Sequence, residues 1–291
     1  MIKKIILGAV AGILTCAAAY SQTGSKHELS VWVAGGLSTL QYSTDFGDSK
    51  GKAGGSFGVG YNYYFTNQWS LSTGLELSLY NSKVNTDPLN DFYDANDGEY
   101  DFEFRTRVTG YKEKQKAMLL NIPVMAQFEL PVGYNKFYAA GGFKFGIPVS
   151  SKYKVTNAII ENSGFYPEWS GQQNLILHTQ KFMGFGTFSR NDVEDDLDLK
   201  LSCMVALEAG MKWNLSSSMD LYTGAYFEYG LNDIKKDANK RLIGYNRVDP
   251  ENFVNNSILS SEYPIGANLE SYADKVVPMA AGIKVRLAFK L

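Results

Sequence analysis

The chain has 291 residues but only two cysteines and two histidines. Cys16 lies in an N-terminal apolar segment, so its removal leaves Cys203 alone and excludes an intramolecular disulfide framework. Beyond that segment no run of about 18 apolar residues occurs, which excludes a bundle of membrane-spanning helices. The formal net charge of −2 is small and the two signs are mixed, so nucleic acid is not an expected partner.

The N-terminus has the pattern of a secretory signal peptide. A basic start, Met1 to Lys4, precedes an apolar run over residues 5–19 and the short sequence Ala19-Tyr20-Ser21. We predict cleavage after residue 21, which leaves residues 22–291 as a single mature domain. The residues before Cys16 lack the small side chain expected next to a lipidated cysteine, so lipidation is not expected.

Hydrophobic and polar residues alternate along eight segments, which is the period of a β-strand. In the third segment, Leu71 and Leu75 share one face while Ser70 and Glu76 share the other. The 28 glycines, 19 tyrosines and 17 phenylalanines suit many strands joined by tight turns. The predicted strands are residues 29–37, 56–65, 69–80, 117–130, 137–149, 199–213, 220–231 and 276–291.

Large aromatic residues stand at one end of these strands, in phase with the aliphatic residues and beside a short turn or the C-terminus. They are Phe65, Trp69, Phe128, Phe137, Trp213 and Phe289. Such a girdle is typical of one membrane interface of a transmembrane barrel, whereas a soluble sandwich has no reason to collect rings there. We therefore predict an all-β fold, an eight-stranded antiparallel up-and-down transmembrane β-barrel in the outer membrane of a Gram-negative cell.

Three short turns alternate with four long connections, at about residues 38–55, 81–116, 150–198 and 232–275. In such barrels the short turns are periplasmic and the long loops extracellular. Tyr100 to Val108 alternates well enough to extend the fourth strand above the membrane, either with an open edge that accepts a partner strand or as an extended barrel wall. The aromatic residues between Phe165 and Phe188 either pack as a cap or bind a partner.

Three strand motifs resemble those of a known family. Leu119-Leu120-Asn121-Ile122-Pro123-Val124-Met125 resembles the fourth-strand signature LxIPxL, and Trp69-Ser70-Leu71-Ser72-Thr73-Gly74-Leu75 resembles the third-strand signature WSLxTGL. Tyr138-Ala139-Ala140-Gly141-Gly142 is similar to the fifth-strand signature YxxxG. The chain thus resembles the outer-membrane barrels of Bacteroidota often labelled porin-family or PorT-like. This resemblance implies the barrel and its location but little about activity.

Charged residues occupy the inward phase of five predicted strands. An unpaired charge there would be costly, so we expect residues of opposite sign to pair in the lumen. An eight-stranded barrel is only wide enough for its own side chains, which favours a closed polar core over a narrow solute path. The predicted cluster is Glu76, Glu208, Glu228, Lys144, Lys284 and Arg286.

Residues suited to catalysis or metal binding are scarce. His27 precedes the first strand and His178 lies in a long connection, so neither can be placed opposite a serine on a strand. Asp94 to Glu99 does not match the register of a calcium loop. The acidic run Asp192 to Asp198 is interpreted as a solvated loop, with divalent cations that bridge it to lipopolysaccharide phosphates as the alternative. No cofactor or metal is expected.

The functional prediction is therefore a non-enzymatic structural or interaction protein that acts through its extracellular loops. A small passive channel is the alternative, and a lipid-modifying enzyme that uses His178 is less favoured. The expected partners are outer-membrane lipid, lipopolysaccharide and a protein that meets the extracellular loops.

Overall fold

The computed structural model describes residues 26–291, so the predicted signal peptide lies outside the described residues. Eighteen strands and three short 3₁₀ helices, Lys181–Met183, Pro250–Asn252 and Ile258–Ser260, make up this part of the chain. The described residues contain no helix with the length and hydropathy needed to cross a membrane. The strands are β1 (His27–Gln41), β2 (Gly47–Gly51), β3 (Ala53–Tyr64), β4 (Trp69–Thr86), β5 (Leu89–Asn96), β6 (Asp101–Val132), β7 (Asn135–Trp169), β8 (Gln172–Leu177), β9 (Gly186–Arg190), β10 (Val193–Asp196), β11 (Ser202–Asn214), β12 (Met219–Gly230), β13 (Lys240–Arg241), β14 (Ile243–Gly244), β15 (Val254–Asn255), β16 (Ser261–Ile265), β17 (Asn268–Ser271) and β18 (Val277–Lys290).

Eight of these strands pair in a closed ring. The order around the ring is β1, β3, β4, β6, β7, β11, β12 and β18, and every neighbouring pair is antiparallel. Closure comes from β18 and β1, where Leu29 lies opposite Phe289 and Leu37 opposite Ala281. The ring leaves none of its strands with an unpaired edge along the closed part. The prediction of an all-β barrel is confirmed, although the described chain has more strands than the eight predicted.

The long connections differ most from the prediction. β6 begins at Asp101 rather than Ala117, and β7 continues to Trp169 rather than ending at Val149. Much of the stretches expected as loops at 81–116 and 150–198 is therefore strand. The reason is that alternation continues beyond the apolar part, with Glu113 buried between the exposed Lys112 and Lys114. Polar outward residues made this region look like a loop.

The extension of β6 is covered on both sides. β5 pairs with its outer part along one edge, Asp91 lying opposite Thr106, and β7 pairs along the other, where Asn162 lies opposite Thr106. The open edge considered for this strand is thus absent, and the structure has the extended barrel wall instead. β8, β9 and β10 pair in turn with the outer part of β7.

The extended wall encloses a second core, above the ring. Phe102 stacks on Tyr166 with ring centroids 4.8 Å apart, and Phe185 packs edge-on against Phe102. The last long connection enters the same space, since Ile258 is fully buried and the Tyr153 hydroxyl donates to the carbonyl of Asn255 at 2.6 Å. Most aromatic residues of the third connection therefore form a cap, whereas Phe182 is exposed.

Glu113 ties this connection to the wall. Its carboxylate accepts hydrogen bonds from the hydroxyls of Tyr111 and Ser257, from the amide of Gln115 and from the backbone N–H of Ile258. Burial raises the pKa of Glu113, and these four donors oppose the shift. The space above the ring is thus filled by a segment that is hydrogen-bonded to the inner face of β6.

Candidate functional site

The interior of the ring contains a charged network at mid-height. The ammonium group of Lys144 donates to Glu76 at 2.7 Å and to Glu228 at 2.5 Å, and all three side chains are buried. The Trp32 indole N–H donates to the second oxygen of Glu76 at 2.8 Å. Gly58 leaves room for that indole, because a Cβ there would lie 2.3 Å from the ring. One lysine thus joins two carboxylates from opposite sides of the ring.

The other three predicted lumen residues also lie inside the ring. Lys284 donates to Glu208 at 2.7 Å, and the hydroxyl of Tyr138 donates to the other oxygen of Glu208 at 2.7 Å. Arg286 forms no ion pair within the described residues 26–291. It donates to the side-chain oxygen of Gln127 at 2.6 Å and lies 3.8 Å from the ring centroid of Tyr222, a cation–π contact.

A second network, near the short turns, is absent from the predicted set. Lys212 lies 3.2 Å from a carboxylate oxygen of each of Glu28, Glu129 and Asp220. The hydroxyl of Tyr222 donates to Glu28 at 3.1 Å. All of these side chains share the inward phase of their strands, which the alternation of the sequence shows. The predicted set covers only inward residues near mid-membrane, whereas these residues lie at or next to the ends of the predicted strands.

Little space is left inside the ring. A cavity of about 30 Å³ lies between Trp32, Lys144, Glu208 and Arg286. A buried water needs roughly 10–15 Å³ of such space, so this cavity has room for only a few waters. At the short-turn end a wider cavity of about 480 Å³ is lined by Lys26, Glu28 and Lys212. The paired charges between the two cavities fill the interior.

The six predicted girdle residues lie at the short-turn end and on the outer face. Trp69 lies opposite Phe128 across β4 and β6, and the two ring centroids are 4.8 Å apart. The Trp213 indole N–H donates to the Thr223 hydroxyl at 2.9 Å. Two of the six, Phe128 and Phe289, are half-buried. The other four are exposed: Phe65, Trp69, Phe137 and Trp213.

The outward face of the extended wall has a groove of about 810 Å³, whose lining includes Phe92, Arg105, Arg107, Glu161 and His178. Phe92 is 53% exposed and lies opposite Arg105, whose guanidinium sits 4.7 Å above the ring of Phe165. Arg107 is exposed and has no ion pair among the residues described. This groove was not predicted, although the alternating arginines of β6 are visible in the sequence.

The predicted weak sites do not assemble into catalytic or metal centres. Ser163 and His178 both line the groove, but no hydrogen bond joins their side chains in the part of the chain described here. Across residues 26–291, no group of three or more His, Cys, Asp or Glu side chains is placed to hold a metal ion. In the acidic run, Asp192 and Glu194 pair with Lys154 and Lys152 at 3.0 and 3.1 Å.

A second carboxylate at the cap, besides Glu113, has a raised pKa. Asp91 is buried behind the groove and lies 3.3 Å from Arg241, on the last long connection. Burial raises the pKa of Asp91 to about 6, and Arg241 opposes the shift. The ion pair between β5 and the last connection is therefore sensitive to mild acid.

A family model agrees with this architecture. The family model described as outer membrane protein beta-barrel domain matches residues 20–236. No curated protein sequence matches the chain. Among solved structures it is similar to Neisserial surface protein A, at 10% identity and a TM-score of 0.35, with 92% of this chain and 98% of that one covered.

Two further solved structures are similar over most of their length. OprG from Pseudomonas aeruginosa is 13% identical, with a TM-score of 0.31 and 93% and 99% of the two chains covered. Ail of Yersinia pestis, in complex with the heparin analogue sucrose octasulfate, is 14% identical, with a TM-score of 0.27 and coverage of 91% and 97%. Similarities this low carry no argument about activity. Since the family model spans well over half of the sequence, the chain belongs to the family of the outer membrane protein β-barrel domain.

Proposed function

We propose that the protein is a non-enzymatic outer-membrane barrel with a closed interior, and that its extracellular part acts as a structural or interaction module of a larger outer-membrane complex. In this proposal the eight ring strands form an up-and-down transmembrane barrel. The short turns face the periplasm and the long connections lie outside the cell. Residues 22–291 form one mature domain after the signal peptide is cleaved.

The observation that carries the closed interior is the bridging of two buried carboxylates by Lys144, next to a cavity of only about 30 Å³. A conducting path would need hydrated charges and continuous space. Buried charges that are neutralised by ion pairs with one another instead favour a rigid core. This geometry supports a structural barrel over the alternative of a small passive channel.

The extracellular groove supports the role in interaction. Exposed aromatic and arginine side chains are the residue types that most often dominate the binding energy of protein interfaces. Phe92, Arg105 and Arg107 lie next to one another on the outward face of β5 and β6, and the extended sheet holds them on rigid strands. We therefore place the site for a protein partner in this groove.

Within the outer-membrane barrels, we assign the protein to the porin-family or PorT-like group of Bacteroidota. The support for this assignment is the three strand motifs around Trp69, Ile122 and Tyr138. Outer-membrane lipid and lipopolysaccharide are its proposed surroundings. A role in secretion is not part of the proposal, because strand motifs report the barrel rather than its task.

Planar-bilayer recording tests the closed interior. The purified wild-type protein should give no conductance above the lipid baseline, and steady conductance would favour the passive channel. As a check on the less favoured enzyme, His178→Ala should leave the lipid A profile of the cells unchanged, and a changed profile would contradict the non-enzymatic assignment.

Site-specific photo-crosslinking in cells tests the interaction module. A photoreactive residue at Phe92, in the groove, should give a discrete crosslinked band. The matched control is the same residue at Val248, which is 94% exposed on a different connection of the cap. Equal crosslinking at both positions, or none at Phe92, would contradict the placement of the partner site.

A further inference from the structure

Lysines form a row across four neighbouring strands, on the outward face of the barrel wall. Lys50 lies opposite Lys83, Lys83 opposite Lys114, and Lys114 opposite Lys154, on β2, β4, β6 and β7. The next row towards the girdle contains a further opposed pair, Lys116 and Lys152. We call the six residues of these two rows the lysine row.

Like charges directly opposite one another destabilise a sheet, so this arrangement has a cost in the isolated protein. Among residues 26–291, two lysines of the row have their charge compensated: Lys152 pairs with Glu194 and Lys154 with Asp192. Lys50, Lys83, Lys114 and Lys116 form no ion pair in the part of the chain that the structure describes. A bound anion would remove their mutual repulsion.

The height of the lysine row can be read from the register. Along β4, the apolar outward face runs from Trp69 at the girdle to Leu79, which lies opposite Met118. The ten residue-to-residue steps from Trp69 to Leu79 span ~33 Å along a strand, or about 25 Å along the membrane normal at a tilt of ~40°. This length equals the height of the apolar band of an outer-membrane barrel. Lys83, four residues further on, lies ~10 Å above the band, at the level of lipid headgroups.

A groove supplies space at this level. Its volume is about 370 Å³, and its lining has one carboxylate, Glu194, which pairs with Lys152, against five lysines: Lys52, Lys114, Lys116, Lys152 and Lys154. Leu79 and Met118 lie directly below, on the same outward face. A ligand in this groove would therefore place its anionic part against ammonium groups and its apolar part against the lipid-facing wall.

We propose that the lysine row binds the phosphate groups of the outer-leaflet glycolipid, the phosphorylated headgroup of lipopolysaccharide. Continuity of the groove with the apolar band favours this lipid over a soluble polyanion, which would need no apolar surface beneath it. Several lysines near a membrane surface attract anionic lipid cooperatively. The inference names a binding site for the lipopolysaccharide of the proposed surroundings, and it rests on the proposed function for the leaflet that the row meets.

Binding of fluorescent bisphosphorylated lipid A to the full-length barrel in neutral detergent micelles tests the proposal. Lys83→Gln with Lys114→Gln should weaken binding at least tenfold. The matched control is Lys181→Gln with Lys240→Gln, which removes the same charge from exposed positions on two other connections and should change binding less than twofold. Lys83→Arg with Lys114→Arg keeps the charge and should bind like the wild type.

Several outcomes would overturn the proposal. Equal affinity of the wild type and the double glutamine variant would do so, as would equal affinity for dephosphorylated lipid A. If a chelator abolished wild-type binding, the lipid phosphates would be bound through cations held by the acidic run Asp192 to Asp198 and not by the lysines. Displacement of lipid A by stoichiometric soluble heparin would make the row a polyanion site. The closed interior is tested by the bilayer conductance of the wild type, which does not involve these lysine variants. Failure of the lipid site and failure of the closed interior are therefore distinguishable.

Discussion

Replacement of Lys144 by methionine should destabilise the barrel more than any substitution on its outer surface. Methionine is close to lysine in length and fills the same space without the charge. Lys144 donates a hydrogen bond to Glu228. It also donates to Glu76, which accepts further hydrogen bonds from Trp32 and Ser78. The variant therefore leaves Glu228 as a buried carboxylate facing a second one.

Removing one partner of a buried ion pair typically costs about 3–5 kcal/mol, because the remaining charge stays desolvated and uncompensated. With a urea dependence of roughly 2 kcal/mol per molar, the unfolding midpoint should fall by about 2 M. Glu228→Gln in the same chain removes the stranded charge and should restore part of that loss. Urea titration of the protein in phosphatidylcholine vesicles, followed by tryptophan fluorescence, measures both.

Lys152→Met is the matched control, on the same strand. Lys152 also pairs with a glutamate, but its side chain is 52% exposed and that of Glu194 47%, so the loss should be less than about 1 kcal/mol. If Lys144→Met also costs less than about 1 kcal/mol, water reaches the interior charges. The closed interior would then be refuted, and the passive channel would gain support.

Three further predictions concern the cap, the facing of the strands and the topology. The raised pKa of Asp91, about 6, means that the folded cap binds this proton more tightly than the unfolded chain does, so its stability should rise as pH falls from about 6 towards 4. Proteolysis within residues 232–275 should thus be slower at pH 5 than at pH 7.5, and Asp91→Asn but not the exposed Asp249→Asn should abolish that difference. Cys203, half-buried on the outward phase opposite Phe145, should react with a membrane-soluble maleimide and resist a bulky charged one, whereas Val248→Cys in a Cys203→Ser background should react with both. Efficient labelling of Cys203 by the charged reagent alone would show that the facing of β11 is wrong. Proteinase K, which cleaves with little sequence preference, should cut the protein on intact cells within the long connections, for example beside the exposed Arg247, and spare the turns at 66–68 and 214–218. Cutting at those turns in sealed cells would invert the topology.

The closed part of the fold was predictable because burial enforces alternation there. Leu71, Leu75 and their neighbours face away from the ring, while Glu76 and Ser78 face inward, and a slip of one residue would exchange the two sets. The same constraint placed Lys144, Glu208 and Lys284 in the interior before their partners were known. Which lysine meets which glutamate depends on strand stagger, a property that alternation does not encode.

The cap and the extended wall were predicted less well because both of their faces contain polar residues. Glu113, Gln115 and Asp91 point inward and are buried, yet in the sequence they look like loop residues. Their burial is stabilised by partners far along the chain, such as Ser257 for Glu113 and Arg241 for Asp91. Contacts over such sequence separations leave no local pattern, so the cap and its groove emerged only from the structure.

The long hairpin of β6 and β7, which runs from the girdle end to the cap with a few register shifts, has a mechanical consequence. Its turn, Gly133 and Tyr134, lies at the girdle end, while its other end holds the aromatic core around Phe102 and Tyr166. Pulling on the cap would load the hydrogen bonds between these two strands in shear, where many of them resist together. Because the cap and the ring wall share these two strands, force applied at the groove acts along β6 and β7 towards their turn at the girdle end.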